Sequence, residues 1–173
     1  GPPVVVVQHM PGPFLVSFST QLNRHLAQDV GLAREEEVLR PGQIRLAPAE
    51  GAHTQIIRHG AQWSCRFLFG DENTLYCPSV DALFSSAVPY GPDVIAVILT
   101  GLGKDGAEGM ASLFAQGAAT LGQDEATSVV YGMPRAAFEA GSIQKQLPVT
   151  QLGAAVNDAV LSWRRSKHKM MHS

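Results

Sequence analysis

The sequence predicts an α/β protein built on a mostly parallel sheet, and three observations carry that prediction. Val4 to Val7 and Val94 to Leu99 are unbroken apolar runs rich in β-branched side chains, the way strands covered on both faces read. Each run leads through a polar turn into apolar residues at helical spacing, so a strand, loop and helix occur twice in that order. Between them, the alternating runs His53 to Arg58 and Trp63 to Phe69 flank His59, Gly60, Ala61 and Gln62, which predicts a small antiparallel hairpin added to the α/β core.

The first strand ends at Gln8 and His9, where Pro11, Gly12 and Pro13 break it. Pro13 fits the first turn of a helix whose apolar face is Phe14, Leu15, Phe18, Leu22 and Leu26, running to about Gln28. Glu35, Glu36 and Glu37 read as a solvated acidic stretch, and Pro41 with Gly42 as a turn before Ile44, Leu46 and Ala47. Ser79 is expected to cap a helix carrying Val80, Leu83, Phe84 and Ala87, with Asp81 in its first turn. The strand at Val94 is followed by the turn Thr100 to Lys104, and Met110, Leu113 and Phe114 then mark a helix that Gly117 ends. Ala118 to Leu121 make a short strand, VVYGMP at 129 to 134 turns into a helix over Arg135 to Ala140, and Ile143 to Val149 give a last strand. Thr150 is expected to cap a final helix through Trp163. One domain over residues 1–163 follows, with a basic tail at 164–173 that has no packing pattern and is expected to fray.

Composition narrows the function classes. Hydrophobic residues at 45% and charged residues at 16% fit a globular protein, and a net charge of −2 gives no general attraction to nucleic acid or to anionic membranes. No apolar run approaches the length that spans a bilayer and no signal-peptide pattern is present, so the expected location is the cytoplasm. Cys65 and Cys77 lack a C-x-x-C spacing and are expected to be buried thiols rather than a disulfide. The histidines offer no metal site: His53 and His59 are too far apart for one helical turn, and His168 with His172 lie in the tail.

The loop after Val94 to Leu99 admits three readings. Asp105 can cap the helix that follows, accepting its orphan N–H groups. Gly101, Gly103 and Gly106 spell G-x-G-x-x-G, with Asp124 near the distance of a ribose-binding acid, which fits a dinucleotide site. Against it, the charge of Asp105 would repel a pyrophosphate at the helix N-terminus. In the third reading Asp105 orients a histidine, and His9, at the end of the first strand, is the candidate. A lone histidine at such a place is more often structural. What raises the chemical reading is its position, since ligands and reacting groups gather at the carboxyl ends of parallel strands.

QHMPGPF at 8 to 14, PSVDALF at 78 to 84, VILTGLGKDGAEGM at 97 to 110 and VVYGMPRAAFEAG at 129 to 141 resemble the catalytic domain of CheB, the chemotaxis protein-glutamate methylesterases. The likeness runs in order from about Val4 to Val160. It implies a three-layer α/β/α, doubly wound and mostly parallel fold, and a cytoplasmic serine hydrolase that removes methyl esters from glutamates of methyl-accepting chemoreceptors and releases methanol. Some members also deamidate glutamine. By motif His9 matches the triad histidine and Asp105 the aspartate, the backbone N–H of Leu102 matches an oxyanion-hole position, and Met133 lies near the substrate cleft. The resemblance implies no metal or organic cofactor, and a receiver domain in the parent protein as a further expected partner; the expected oligomeric state is a monomer.

Two departures matter. The family's G-x-S-T-G-G nucleophile turn, which precedes the histidine strand, has no match here, and Ser17 and Ser19 fall on the first helix. A missing interior strand would leave buried backbone groups unpaired. The expectation is therefore a sequence whose start is not included and whose parent is a methylesterase, with this chain alone inactive. The alternative is a catalytically dead receptor-binding or regulatory module. The second departure is Cys77, where the family commonly has arginine before PSVD.

Overall fold

In the computed structural model, which describes residues 1–49, 51–69 and 75–173, the opening valine run becomes β1, Val4–Val6. It joins β2 (Asp29–Leu32) and β4 (Gln43–Leu46) in a parallel sheet of order β1-β4-β2, with Arg45 level with Val5 on one side and Gly31 on the other. The helix α1, Gly12–His25, starts where Pro11 and Pro13 place it and ends slightly earlier than its apolar pattern predicts. Its inner face buries Leu15 against Val30 and Leu46, with Phe18 and Leu22 beside them, so the i, i+3, i+7 spacing becomes one core.

The antiparallel sheet has order β3-β6-β5, from β3 (Val38–Leu39), β5 (Ala52–His59) and β6 (Gln62–Phe69). The predicted hairpin is β5 and β6, joined where Gly60 takes φ +61°, a conformation open to glycine. Ala33, Leu39 and Cys65 form the core beneath it. The helix α2, Val80–Ala87, begins as expected, its Ala82 N–H donating to Ser79 Oγ at 3.2 Å.

The chain forms two compact units, residues 1–86 and 87–173. In the second, β7 (Ile95–Ile98), β8 (Ala119–Gln123) and β9 (Lys145–Leu147) make a parallel sheet of order β7-β8-β9. The crossovers are α3 (Ala107–Ala115) and α4 (Met133–Glu139), and α5 (Val149–Met171) follows. All three helices contact β8, and accordingly Thr120 to Gln123 are all buried. The α/β class, the parallel sheets and the small antiparallel sheet are those the sequence predicts. No helix among the described residues is long and apolar enough to cross a membrane.

Four local expectations are corrected. Asp105 is not the cap of α3, because Gly106, at φ +98°, occupies that position. Thr150 lies inside α5 rather than capping it: Pro148 sets the chain's entry, and Thr127 Oγ1 accepts the first orphan N–H, that of Val149, at 3.1 Å. The stretch 164–171 is helical, since Lys167 pairs with Asp93 at 2.7 Å and Trp163 Nε1 donates to the same carboxylate at 2.8 Å. Cys65 is buried but Cys77 is exposed; both are free thiols.

Candidate functional site

The catalytic candidates sit in strand-end loops, and each unit supplies its own. In the second unit the loop between β7 and α3 is held by backbone and side-chain bonds to the loop ahead of α4. The Gly101 N–H donates to Val130 O at 3.0 Å, and Gly101 O accepts from the N–H groups of Gly132 at 3.2 Å and Met133 at 2.8 Å. Thr100 Oγ1 accepts from Val130 N–H at 2.9 Å and donates to Val130 O at 3.1 Å. The two glycine-containing motifs are therefore two sides of one structure. Gly132 is required by space: a Cβ there would lie 2.7 Å from Gly101 O and 3.0 Å from Gly103 N. Gly103, at φ +91°, turns the chain toward Asp105.

This scaffold brings Leu102, Asp105 and Met133 into one loop cluster. Asp105 is 5% exposed, an acid buried at the carboxyl end of a parallel strand, where burial of a carboxylate is costly unless something pairs with it. Its negative charge one residue ahead of the α3 cap opposes an anion there, which speaks against the dinucleotide reading. Leu102 is 78% exposed, and its N–H donates to no acceptor among the described residues. Met133 is buried, its thioether filling the space beside Gly101 where a side chain would otherwise stand.

In the first unit His9 follows β1 on the exposed segment that leads into α1. Its imidazole stacks on the ring of Tyr76, centroids 4.8 Å apart and planes within 9°. Tyr76 belongs to the segment entering α2, and that segment is pinned from below: the N–H of buried Ser79 donates to Nδ1 of His53, itself 2% exposed, at 3.0 Å. Sequence reasoning missed both Tyr76 and His53. A single tyrosine in a loop and a histidine on an alternating strand carry no pattern that marks such roles.

Ser19 and Ser79 are engaged in local bonds, and Cys65 is withdrawn by burial. Ser19 Oγ donates to Val16 O at 2.9 Å within α1, and Ser79 Oγ caps α2. The Cys65 thiol is pushed up to about 12, first by burial and then by the charge of Glu37, so its reactive thiolate is scarce at neutral pH.

These features define an α/β protein whose candidate catalytic groups lie at the carboxyl ends of parallel strands. The family model for the CheB methylesterase matches residues 1–156, and the chain belongs to that family. It is 43% identical over 158 residues to the protein-glutamate methylesterase/protein-glutamine glutaminase 1 of Caulobacter vibrioides, covering 91% of this chain and 46% of that protein. A protein of the same name from Xanthomonas euvesicatoria is 45% identical over 152 residues, 87% of this chain and 42% of the relative. The chain thus spans less than half the length of these curated relatives. The crystal structure of the Thermotoga maritima CheB methylesterase catalytic domain matches with a TM-score of 0.82 at 33% identity, covering 87% of this chain and 80% of that one.

Proposed function

We propose that this chain is the greater part of the catalytic domain of a cytoplasmic protein-glutamate methylesterase that acts on methyl-accepting chemoreceptors. The observation that carries the reading is the β7–α3 loop, where the buried Asp105 carboxylate lies three residues from the open N–H of exposed Leu102. An orienting acid and an oxyanion donor on one rigid loop are two of the parts acyl transfer needs. The names of the relatives, which couple methylesterase and glutaminase, support the same chemistry.

In this mechanism His9 is the general base, and Asp105 accepts one of its ring N–H groups to fix the tautomer. The nucleophile is a serine from polypeptide ahead of Gly1. His9 takes the serine proton as the oxygen attacks the glutamyl ester carbonyl, and the oxyanion that forms is received by backbone donors including Leu102 N–H. As the carbonyl re-forms, the bond to methoxide breaks and His9 gives its proton to the departing methanol. Water, deprotonated by His9, then attacks the acyl-enzyme, and glutamate and the serine hydroxyl are regenerated. Amide hydrolysis of receptor glutamine follows the same course with ammonia leaving. Met133 lines the cleft, the protein acts as a monomer, and a receiver domain in the parent controls access. No step calls for a metal or an organic cofactor.

The test is methanol release from methylated receptor membranes by the full-length protein. His9→Ala is expected to lower the rate by at least about 10³-fold and Asp105→Asn by about 10²- to 10⁴-fold, with the fold retained. Near-normal turnover in either variant would overturn the assignment, and absence of release by the unaltered full-length protein would favour the dead receptor-binding module.

A further inference from the structure

We infer that Tyr76 is a positioning residue for the general base, its ring face setting the plane of the His9 imidazole. This rests on the reading of His9 as the base, and it adds a residue that none of the matched motifs contains. The two rings are nearly parallel, at 4.8 Å and 9°, and both lie in the first unit. His9 itself is exposed, on a segment outside regular structure, where fixing the plane of a side chain costs conformational entropy that a neighbouring ring face offsets. Tyr76 is half-buried, and its segment is anchored three residues on by the bond from Ser79 N–H to buried His53. A phenol held in this way is a fixed wall against which the imidazole lies flat.

The stack also has a chemical consequence. When His9 takes the serine proton it becomes an imidazolium, and the electron-rich face of an aromatic ring attracts a cation placed over it. That attraction exists only once the proton has moved. It therefore favours the transition state over the bound ester and belongs in kcat rather than KM. The interaction uses the ring face, so phenylalanine should replace tyrosine and leucine should not.

The experiment uses the full-length protein with methylated receptor membranes as substrate, in three forms: unaltered, Tyr76→Phe and Tyr76→Leu. Tyr76→Phe is expected to keep kcat within about twofold, whereas Tyr76→Leu should lower kcat about tenfold, about 1.4 kcal/mol of barrier, with KM within about twofold. In NMR spectra of histidine-labelled protein, the His9 ring protons should show an upfield ring-current shift that survives in Tyr76→Phe and is lost in Tyr76→Leu. Thermal unfolding checks that both variants fold. Unchanged kcat in Tyr76→Leu, equal damage from both substitutions, a change confined to KM, or no ring-current shift in the unaltered protein would each overturn the inference. If Tyr76→Leu fails to fold, Tyr76→Phe and the ring-current shift decide alone. An inactive unaltered protein would overturn the methylesterase reading, and this inference with it.

Discussion

The backbone N–H of Thr100 donates to Gln123 Oε1 at 2.8 Å, across the ends of two neighbouring parallel strands. Gln123 is 3% exposed, and its amide nitrogen donates to Thr127 O, also at 2.8 Å. One side chain thus does what the sheet ladder does lower down, tying the loop that carries Leu102 and Asp105 to the loop that leads toward Met133. Beyond the strand ends no ladder is left to satisfy these groups.

Gln123→Leu preserves size while orphaning the Thr100 N–H and the Thr127 carbonyl, each at a cost of about 1–3 kcal/mol when buried. Thr100 is exposed and Thr127 half-buried, so urea unfolding is expected to show a loss of about 1–2 kcal/mol. On the proposed mechanism turnover by the full-length protein should fall as well, because Leu102 and Asp105 ride on the loosened loop. A loss below about 0.5 kcal/mol would mean that water replaces both bonds and that the side chain is not the tie described.

Gly132 gives a prediction of opposite character, since its φ of −102° suits any residue and only space forbids a side chain. Alanine there would push a methyl group to 2.7 Å from Gly101 O, and the nearby atoms are backbone, which cannot rotate away. Gly132→Ala is expected to cost about 2–3 kcal/mol in urea unfolding. Gly153→Ala is the control: that position is in α5 with nothing within 4 Å, and the change should stabilise by about 0.5–1 kcal/mol. Equal effects at the two positions would refute the steric account.

Of the parallel strands, β1 and β7 were legible as the β-branched apolar runs at Val4 to Val7 and Val94 to Leu99, although Val4 and Leu99 are exposed and each strand stands at the end of its three-stranded sheet. β2 and β3 were not, because strands as short as Asp29–Leu32 and Val38–Leu39 offer too few alternations to carry a period. The end of α5 escaped for a different reason. Its face is largely solvent-exposed, and what holds it is a single acid, Asp93, receiving both Trp163 and Lys167 from 70 or more residues away. Glycine spacing marked the loop after β7, but nothing in a linear reading says that Gly101 and Gly132 meet. Gln123, Tyr76 and His53 are ordinary residues until the fold gives them partners.

Arg45 supplies the pH dependence. On the central strand β4 and 7% exposed, its Nε donates to Glu37 at 2.7 Å, while its Nη atoms reach the Asp29 carboxylate at 2.8 Å and the Asp29 carbonyl at 2.9 Å. Burial alone would lower the affinity of the guanidinium for its proton, yet the two carboxylates outweigh it and hold it charged. In return the Arg45 hydrogen bond, more than its charge at a distance, holds the Asp29 carboxyl below its ordinary 3.8. A carboxyl lowered in the folded state contributes stability that is complete above the ordinary value and disappears as pH falls through the lowered one. Stability should therefore decline below about pH 4 in part through this group. Because the Asp29 side chain is 62% exposed, Asp29→Asn is expected to cost under about 1 kcal/mol at pH 7 and to flatten the acid decline slightly. Arg45→Met is the harsher change: it leaves Glu37, whose side chain is 18% exposed, without its cation, and should cost about 3–5 kcal/mol at pH 7. Arg45→Met also removes the bond that lowers the Asp29 carboxyl, so the share of the gap carried by that group should disappear as pH falls, and the gap between Arg45→Met and the unaltered protein should narrow on acidification. Urea unfolding from pH 7 to pH 3 reads all three forms. A gap that stays constant across that range would show that Arg45 acts through packing, with the ion pairs contributing nothing.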